Sequence, residues 1–365
     1  MKLRLFLDVD FAETCFRQLG VSVSEFAAGV IGETADISAY MFNRLEQYNS
    51  LVGDPLFAVA KSAKEADAIL LPADWAFAGR RAPEIARHYL NLSDVSGKPL
   101  IVSSLGDTTK EIPGKRTIVL RTSKYRWSAK KNEIFCPPVV NDRLAGKKIE
   151  WIDGKPSRPK VGFVGQSQKN KTNPLSNFLR FGKKDYLLSL SALMNEKYGN
   201  CRSGLYFRSK ALQMLAADPR IDDKFIKRNS WGLDVRQDES VLRSQTQEYD
   251  NNIASNMFTV CVRGAGNFSL RLYEVLSMGR IPLLIDTDDV RPLEGILDYN
   301  EFCCIIKGRD IDKLPGLFLD FYDGKSPNQL LDMQTSARSA FVDYLEFKTF
   351  SRRVFNSILP EMIGR

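Results

Sequence analysis

Short apolar runs alternate with stretches of helical periodicity along most of the chain. KLRLFLD at 2–8, ADAILLP at 66–72, KPLIVSS at 98–104 and TIVLRTS at 117–123 are each a few residues long and largely apolar. That pattern predicts strands buried in a parallel sheet. Helical periodicity at 24–31, 36–48 and 80–90 lies between them, with a break from Ser50 to Pro55. Between 141 and 158 the character changes: NDRLAGKKIEWIDGKPSR is polar, charged and punctuated by glycine and proline, as a linker would be. A second alternating set follows. KVGFVGQ at 160–166, NMFTVCV at 256–262, IPLLID at 281–286 and FCCII at 302–306 are strand-like; helices are predicted near 208–217, 269–278, 310–320 and 327–345. Strands alternating with helices imply α/β architecture, here two Rossmann-like, doubly wound domains. The predicted domains are 1–155 and 156–339, with a final helix at about 340–365 packing back on the first. The amphipathic, basic stretch 337–358 also has the composition of a membrane-surface helix.

Composition narrows the possible functions. A chain of 365 residues, 44% hydrophobic and 26% charged, can bury two cores and has no low-complexity tract or fixed-period repeat. The opening MKLRLFLDVDF is too short and too soon charged for a signal peptide, and no stretch reaches the roughly 20 apolar residues of a membrane span. A cytoplasmic protein is expected, peripheral at the inner membrane face if the basic C-terminal stretch binds lipid. The net charge of +8 points to anionic partners: a diphosphate-bearing donor, an acidic or lipid-linked glycan, or an anionic membrane. Basic residues are dispersed rather than gathered on one helix, which argues against nucleic acid. Six cysteines, among them Cys15, Cys136 and Cys261, show no zinc-ligand spacing and predict buried thiols in a reducing compartment. His88 is the only histidine. It rules out a histidine-rich metal site, and its context ARHYLNL suggests a surface or packing role.

The segment 256–286 carries the chemistry. NMFTVCV is a strand, RGAGN is a loop in which Gly264 and Gly266 let backbone approach a ligand, and a helix opens near Ser269 and closes at Gly279. Free amides at such a helix start favour an anion. Arg263 stands at the loop's start and Asn267 within it. Arg271 lies in the first helical turn, with Glu274 three residues on and on the same face. Guanidinium forks match phosphate, and a carboxylate can accept from ribose hydroxyls. The competing reading is an Arg271–Glu274 surface pair beside a simple turn. Two DxD strings, Asp8–Asp10 and Asp286–Asp288, raise a metal reading; the turn-like DTDD is read instead as solvated loop carboxylates, and no obligatory metal or other cofactor is expected.

The run YDNNIASNMFTVCVRGAGNFSLRLYEVLSMGRIPLLID, Tyr249 to Asp286, resembles the nucleotide-sugar half of the exostosin family of glycosyltransferases. That family's strand, Arg-Gly, glycine loop, Ser-x-Arg-Leu-Tyr-Glu and Gly-x-Ile-Pro strand are all present. ADAILLPADW, NEIFCPPVVND, KVGFVGQ and the stretch Arg208 to Arg228 echo the family more weakly. The resemblance implies a GT-B fold, two Rossmann-like domains facing a central cleft. It also implies inverting, hexosyltransferase-type transfer from a nucleotide sugar, commonly a UDP-sugar, to a glycan hydroxyl, as in polysaccharide synthesis. By position, Arg263 and Arg271 would face the diphosphate, Glu274 the ribose, and Gly264, Gly266 and Ser269 would shape the loop, with Arg228 as a further cation. A histidine common before the family's third-strand aspartate is absent here, where the sequence is SSLGD. Inversion needs a general base; Asp74 and Asp107, at strand ends in the first half, are the candidates, with Asp8 a third. Two alternatives remain open: a non-catalytic nucleotide- or glycan-binding module, and a haloacid dehalogenase-type phosphatase suggested by LFLDVDFA at 5–12.

Overall fold

Each apolar run becomes a parallel strand, and β-branched and leucine side chains pointing alternately to either face are what bury it. The computed structural model describes residues 2–8, 11, 56–75, 78–79, 83–167, 183–229 and 239–364. The helices expected at 24–31 and 36–48, the break before Pro55, Asp10 and Cys15 lie outside them. The chain forms two units: Met1–Val140 with Val290–Leu293 and Tyr344–Arg365, and Asn141–Asp289 with Glu294–Asp343. The polar run at 141–158 thus belongs to the second.

The first unit contains β1 (Leu3–Phe6), β2 (Phe57–Val59), β3 (Ala68–Asp74), α1 (Pro83–Ser96), β4 (Leu100–Ser104), β5 (Thr117–Arg121) and β6 (Glu133–Phe135). Its six-stranded sheet has the order β2-β1-β3-β4-β5-β6, and every pairing is parallel. Along β3 the side chains alternate. Ile69 and Leu71 pack with Ile85 and Tyr89 of α1 on one face. Ala68 and Leu70 pack on the other, with Leu5 of β1 and with Phe350, Val354, Phe355 and Leu359. The apolar side chains that made a membrane-surface helix conceivable are therefore buried in this core. No helix among the described residues is long and apolar enough to cross a membrane.

The second unit contains β7 (Lys160–Gln166), α2 (Lys183–Ala192), α3 (Gly204–Ala217), β8 (Asp222–Arg228), α4 (Glu239–Ser255), β9 (Phe258–Cys261), α5 (Leu270–Ser277), β10 (Ile281–Asp286), β11 (Cys304–Lys307), α6 (Leu314–Asp323) and α7 (Pro327–Ala340). The sheet order is β11-β10-β9-β7-β8, again all parallel. Val161, Phe163, Val260, Leu283 and Ile285 build its core with Phe207 of α3 and Phe318 of α6. Strands β2, β6 and β8 were not foreseen, and all three are sheet edges. An edge strand is half-solvated, so DDKFIKR of β8 carries charges instead of an apolar run.

In both units the second strand lies on one side of the first and the third strand on the other. The chain reverses its direction of travel at that point, and loops leaving the two strands diverge to open a crevice at their carboxyl ends. In the second unit those strands are β7 and β9; in the first they are β1 and β3.

Candidate functional site

At the reversal in the second unit, β9 ends at Cys261 and the chain turns through Arg263–Ser269 into α5. The Gly264 amide donates to the Phe268 carbonyl at 3.1 Å and closes the turn. Leu272, Val275 and Leu276 are buried and anchor α5 to the core. Ser269 occupies the N-cap position, but its side chain caps nothing. Among the described residues its buried Oγ has no hydrogen-bond partner, and neither has that of Ser167, one residue past the end of β7. The first-turn amides of α5 therefore receive no cap from Ser269, where the helix dipole is positive. A Cβ on Gly264 would meet nothing within 4 Å among the described residues, which leaves room there for a ligand. Gly204 is different: a Cβ there would lie 2.3 Å from the Gly264 carbonyl oxygen. Its absence lets α3 begin directly against the loop.

Arginines converge on this crevice. Arg271 Nη2 donates to the Val164 carbonyl at 2.6 Å, its guanidinium lies 4.2 Å over the Phe163 ring, and its Nε reaches Tyr249 Oη at 3.3 Å. This path across β7 exists because Gly165, at φ +145, has no Cβ; one would sit 2.9 Å from Arg271 Nη2. Arg208, buried on α3, donates to the carbonyls of Gln166 at 2.9 Å and Arg263 at 3.3 Å. Burial, and then the charge of Arg271, push Arg208 down to about 10. Among the described residues neither Arg208 nor Arg271 is bonded to a carboxylate. Arg263, also buried, donates to Ala265 and Asn200 carbonyls at 3.0 and 3.4 Å. Backbone carbonyls, the Tyr249 hydroxyl and the Phe163 ring are neutral partners for two neighbouring guanidinium charges, and an incoming dianion would relieve the repulsion.

The other predicted residues are placed differently. Glu274 is only 4% exposed, with one carboxylate oxygen taken by Arg143 and the other by the Tyr249 hydroxyl. It is thus no surface partner of Arg271, and a ribose contact requires one of these bonds to yield. Burial opposes the Arg143 charge, but Glu274 together with Asp250 and Tyr249 outweighs it, and the Arg143 pKa is raised. Arg228, at the end of β8, is paired with Glu248 of α4. Asn267 is fully buried and tied to Thr287, whose hydroxyl donates to Asn267 Oδ1 at 2.8 Å, so it fixes the loop from beneath. Gly266 lies in the same turn. Asp286 of the DTDD string is not solvated: it is 1% exposed, 2.6 Å from Lys307 Nζ, and accepts from the Asp288 amide at 2.8 Å. Arg208 and Arg143 were not singled out from the sequence. Arg208 lies ahead of the recognisable segment and Arg143 in an apparent linker, so only the fold brings them in.

In the first unit, Asp74 closes β3, is buried, and accepts from the Leu105 amide at 3.0 Å. Asp107 is exposed in the loop after β4. That loop is held by its carbonyls: Thr122, Ser123, Arg121 and Lys124 side chains donate to residues 106, 107, 108 and 109 in turn. Asp8 follows β1 and pairs with His88 Nε2 at 2.8 Å. The sole histidine is thus a partner of one of the candidate carboxylates, and not a surface or packing residue alone.

No protein-family model matches the chain. Over 121 residues it is 27% identical to an exostosin-1 homologue of Caenorhabditis elegans, covering 32% of this chain and 30% of that protein. The match therefore spans less than a third of the relative's length. Among solved structures, HepE of Anabaena in complex with UDP superposes with a TM-score of 0.40 at 10% identity, over 100% of both chains. TarM does so with 0.37 at 10% identity, over 73% of this chain and 51% of its own. In the residues of its Arg263–Glu274 segment and in its two doubly wound parallel sheets, the chain is similar to the exostosin-like GT-B glycosyltransferases.

Proposed function

We propose that the chain is an inverting glycosyltransferase that binds a nucleoside diphosphate sugar, a UDP-sugar by resemblance to exostosins, at the β7/β9 reversal. The observation that carries the reading is the guanidinium pair Arg208 and Arg271, bonded to no carboxylate among the described residues, beside a start of α5 that Ser269 leaves uncapped. The diphosphate accepts from these guanidiniums and from the α5 amides, with Gly264 leaving room for it and Ser167 and Ser269 supplying unpartnered hydroxyls. Arg263 adds charge from the loop's start; Asn267 and Glu274 keep the loop and its arginines in place. In the transfer, an acceptor hydroxyl oxygen bonds to the sugar's anomeric carbon as the bond to the diphosphate breaks. The electron pair leaves on the diphosphate oxygen, where fixed cations stabilise it, and the hydroxyl proton passes to a base. Glycan hydroxyls are the acceptors this reading requires.

Titration calorimetry with UDP, GDP and CDP tests it. UDP should bind the wild type, and Arg208→Ala should weaken it. No binding by any of the three would end the reading.

A further inference from the structure

Resting on that reading, we infer that Tyr249 is a positioning residue of the donor site: its hydroxyl aims the Arg271 guanidinium at the diphosphate. All the groups involved belong to the second unit. Tyr249 stands on α4, and its hydroxyl lies between two side chains of α5. On one side it meets Arg271 Nε at 3.3 Å; on the other it meets Glu274 Oε2. A guanidinium nitrogen only donates, and a carboxylate paired with Arg143 accepts. The direction of both bonds is thereby fixed: the phenol accepts from Arg271 and gives its proton to Glu274. Burial, which pushes the phenol up, keeps that proton in place. With Arg143 on one oxygen and Tyr249 on the other, the carboxylate is pinned from both sides.

The consequence for Arg271 follows from its donors. A guanidinium has five N–H groups in one plane. Tyr249 takes the one on Nε, the Val260 carbonyl one on Nη1 at 3.5 Å, and the Val164 carbonyl one on Nη2 at 2.6 Å. Two remain, one on each terminal nitrogen, which is the arrangement of a bidentate phosphate contact. The Phe163 ring, 4.2 Å away, supports the guanidinium but offers no hydrogen-bond acceptor in its plane, so it does not set the direction of this fork. The Val260 bond is long. Direction is therefore set at two points, the Val164 carbonyl on β7 and the Tyr249 hydroxyl on α4. Without the hydroxyl, the head can pivot about Val164, and the fork no longer points one way before the ligand arrives. A preorganised fork binds more tightly than one that must be ordered on binding.

The test is a double-substitution cycle on the full chain, read by titration calorimetry with UDP. Tyr249→Phe keeps the ring and removes only the hydroxyl; it should weaken UDP about tenfold. Arg271→Ala should weaken it about 10- to 100-fold. Adding Tyr249→Phe to Arg271→Ala should then change the affinity by less than about twofold, because the hydroxyl acts only through that guanidinium. Nitrogen-resolved NMR supplies a readout that a general loss of packing would not give. The Arg271 Nε–H resonance, assigned by its disappearance in Arg271→Ala, should be protected from solvent exchange in the wild type and lose that protection in Tyr249→Phe. UDP affinity within about threefold of wild type in Tyr249→Phe, or an equal loss with and without Arg271, would overturn the inference and leave the donor reading standing. An unprotected Nε–H in the wild type would overturn it without any variant of Tyr249. A wild type that binds no UDP would overturn the donor reading itself, and the inference with it.

Discussion

The carboxyl edges of the two sheets share one strand order and carry opposite chemistry. In the second unit the reversal point gathers Arg208, Arg263 and Arg271 around an uncapped helix start. In the first it holds Asp8, Asp74 and His88. The same topology therefore decides only where ligands can meet backbone and loops; the side chains set beside it decide the charge they meet. The two edges are also held together by different means. The second depends on a buried ionic network through Arg143, Glu274 and Tyr249, whose phenol burial pushes up. The first depends on ring stacking around His88, an apolar core that includes Phe355 and, further along the edge, a buried Arg121–Glu133 pair.

Removing Glu274 should break the contrast most severely. Among the described residues, Glu274→Ala leaves Arg143 with Asp250, 3.6 Å away, as its sole carboxylate, and strips the Tyr249 hydroxyl of its acceptor. A broken buried pair costs about 3–5 kcal/mol, to be read from denaturant unfolding. A loss under about 1 kcal/mol would show the carboxylate to be available for ligand instead. Phe355→Ala should weaken the first unit by a similar amount, about 3–5 kcal/mol, since it empties a site stacked at 5.4 Å on Phe57. Hydrogen exchange should locate that loss in β1 and β3, and a loss confined to α8 (Phe347–Arg353) would mean the C-terminal segment frays independently of the core. Arg208→Ala comes next. A charge-assisted hydrogen bond is worth about 1.5–3 kcal/mol, so UDP affinity should fall about 10- to 100-fold while His88→Gln leaves it intact. If both variants weakened UDP alike, the second unit would not hold the nucleotide alone.

How much of this could be read without coordinates depended on how local each feature is. The central strands β7 and β10 were legible to the residue because a strand buried on both faces leaves an unbroken apolar run. Edge strands β2, β6 and β8 were not, since half-solvated strands tolerate charge. The turn from Arg263 into α5 was legible because glycines, N-cap residue and arginines are contiguous. The roles within it were less so: Glu274 faces Arg143, 131 residues away in sequence, and nothing local announces that. His88 was passed over for the same reason, as its carboxylate lies 80 residues earlier. The DTDD string misled because a turn composition suits solvent, whereas Lys307 on the adjacent strand neutralises Asp286 and lets it be buried.

The smallest expected effect separates the two units most finely. Cys136 and Cys261 are buried thiols, one in each unit, and burial pushes both up to about 12. Neither should react with iodoacetamide at pH 8 unless its strand environment opens, so alkylation rates followed by mass spectrometry report local opening. Cys261 ends β9, next to the arginine loop; Cys136 follows β6, in the first unit's core. UDP at ten times its dissociation constant stabilises what it binds by about 1.4 kcal/mol. The Cys261 rate should therefore fall about tenfold while the Cys136 rate holds constant. Equal slowing of both would mean that the units open as one, and an unchanged Cys261 rate would place the nucleotide away from β9.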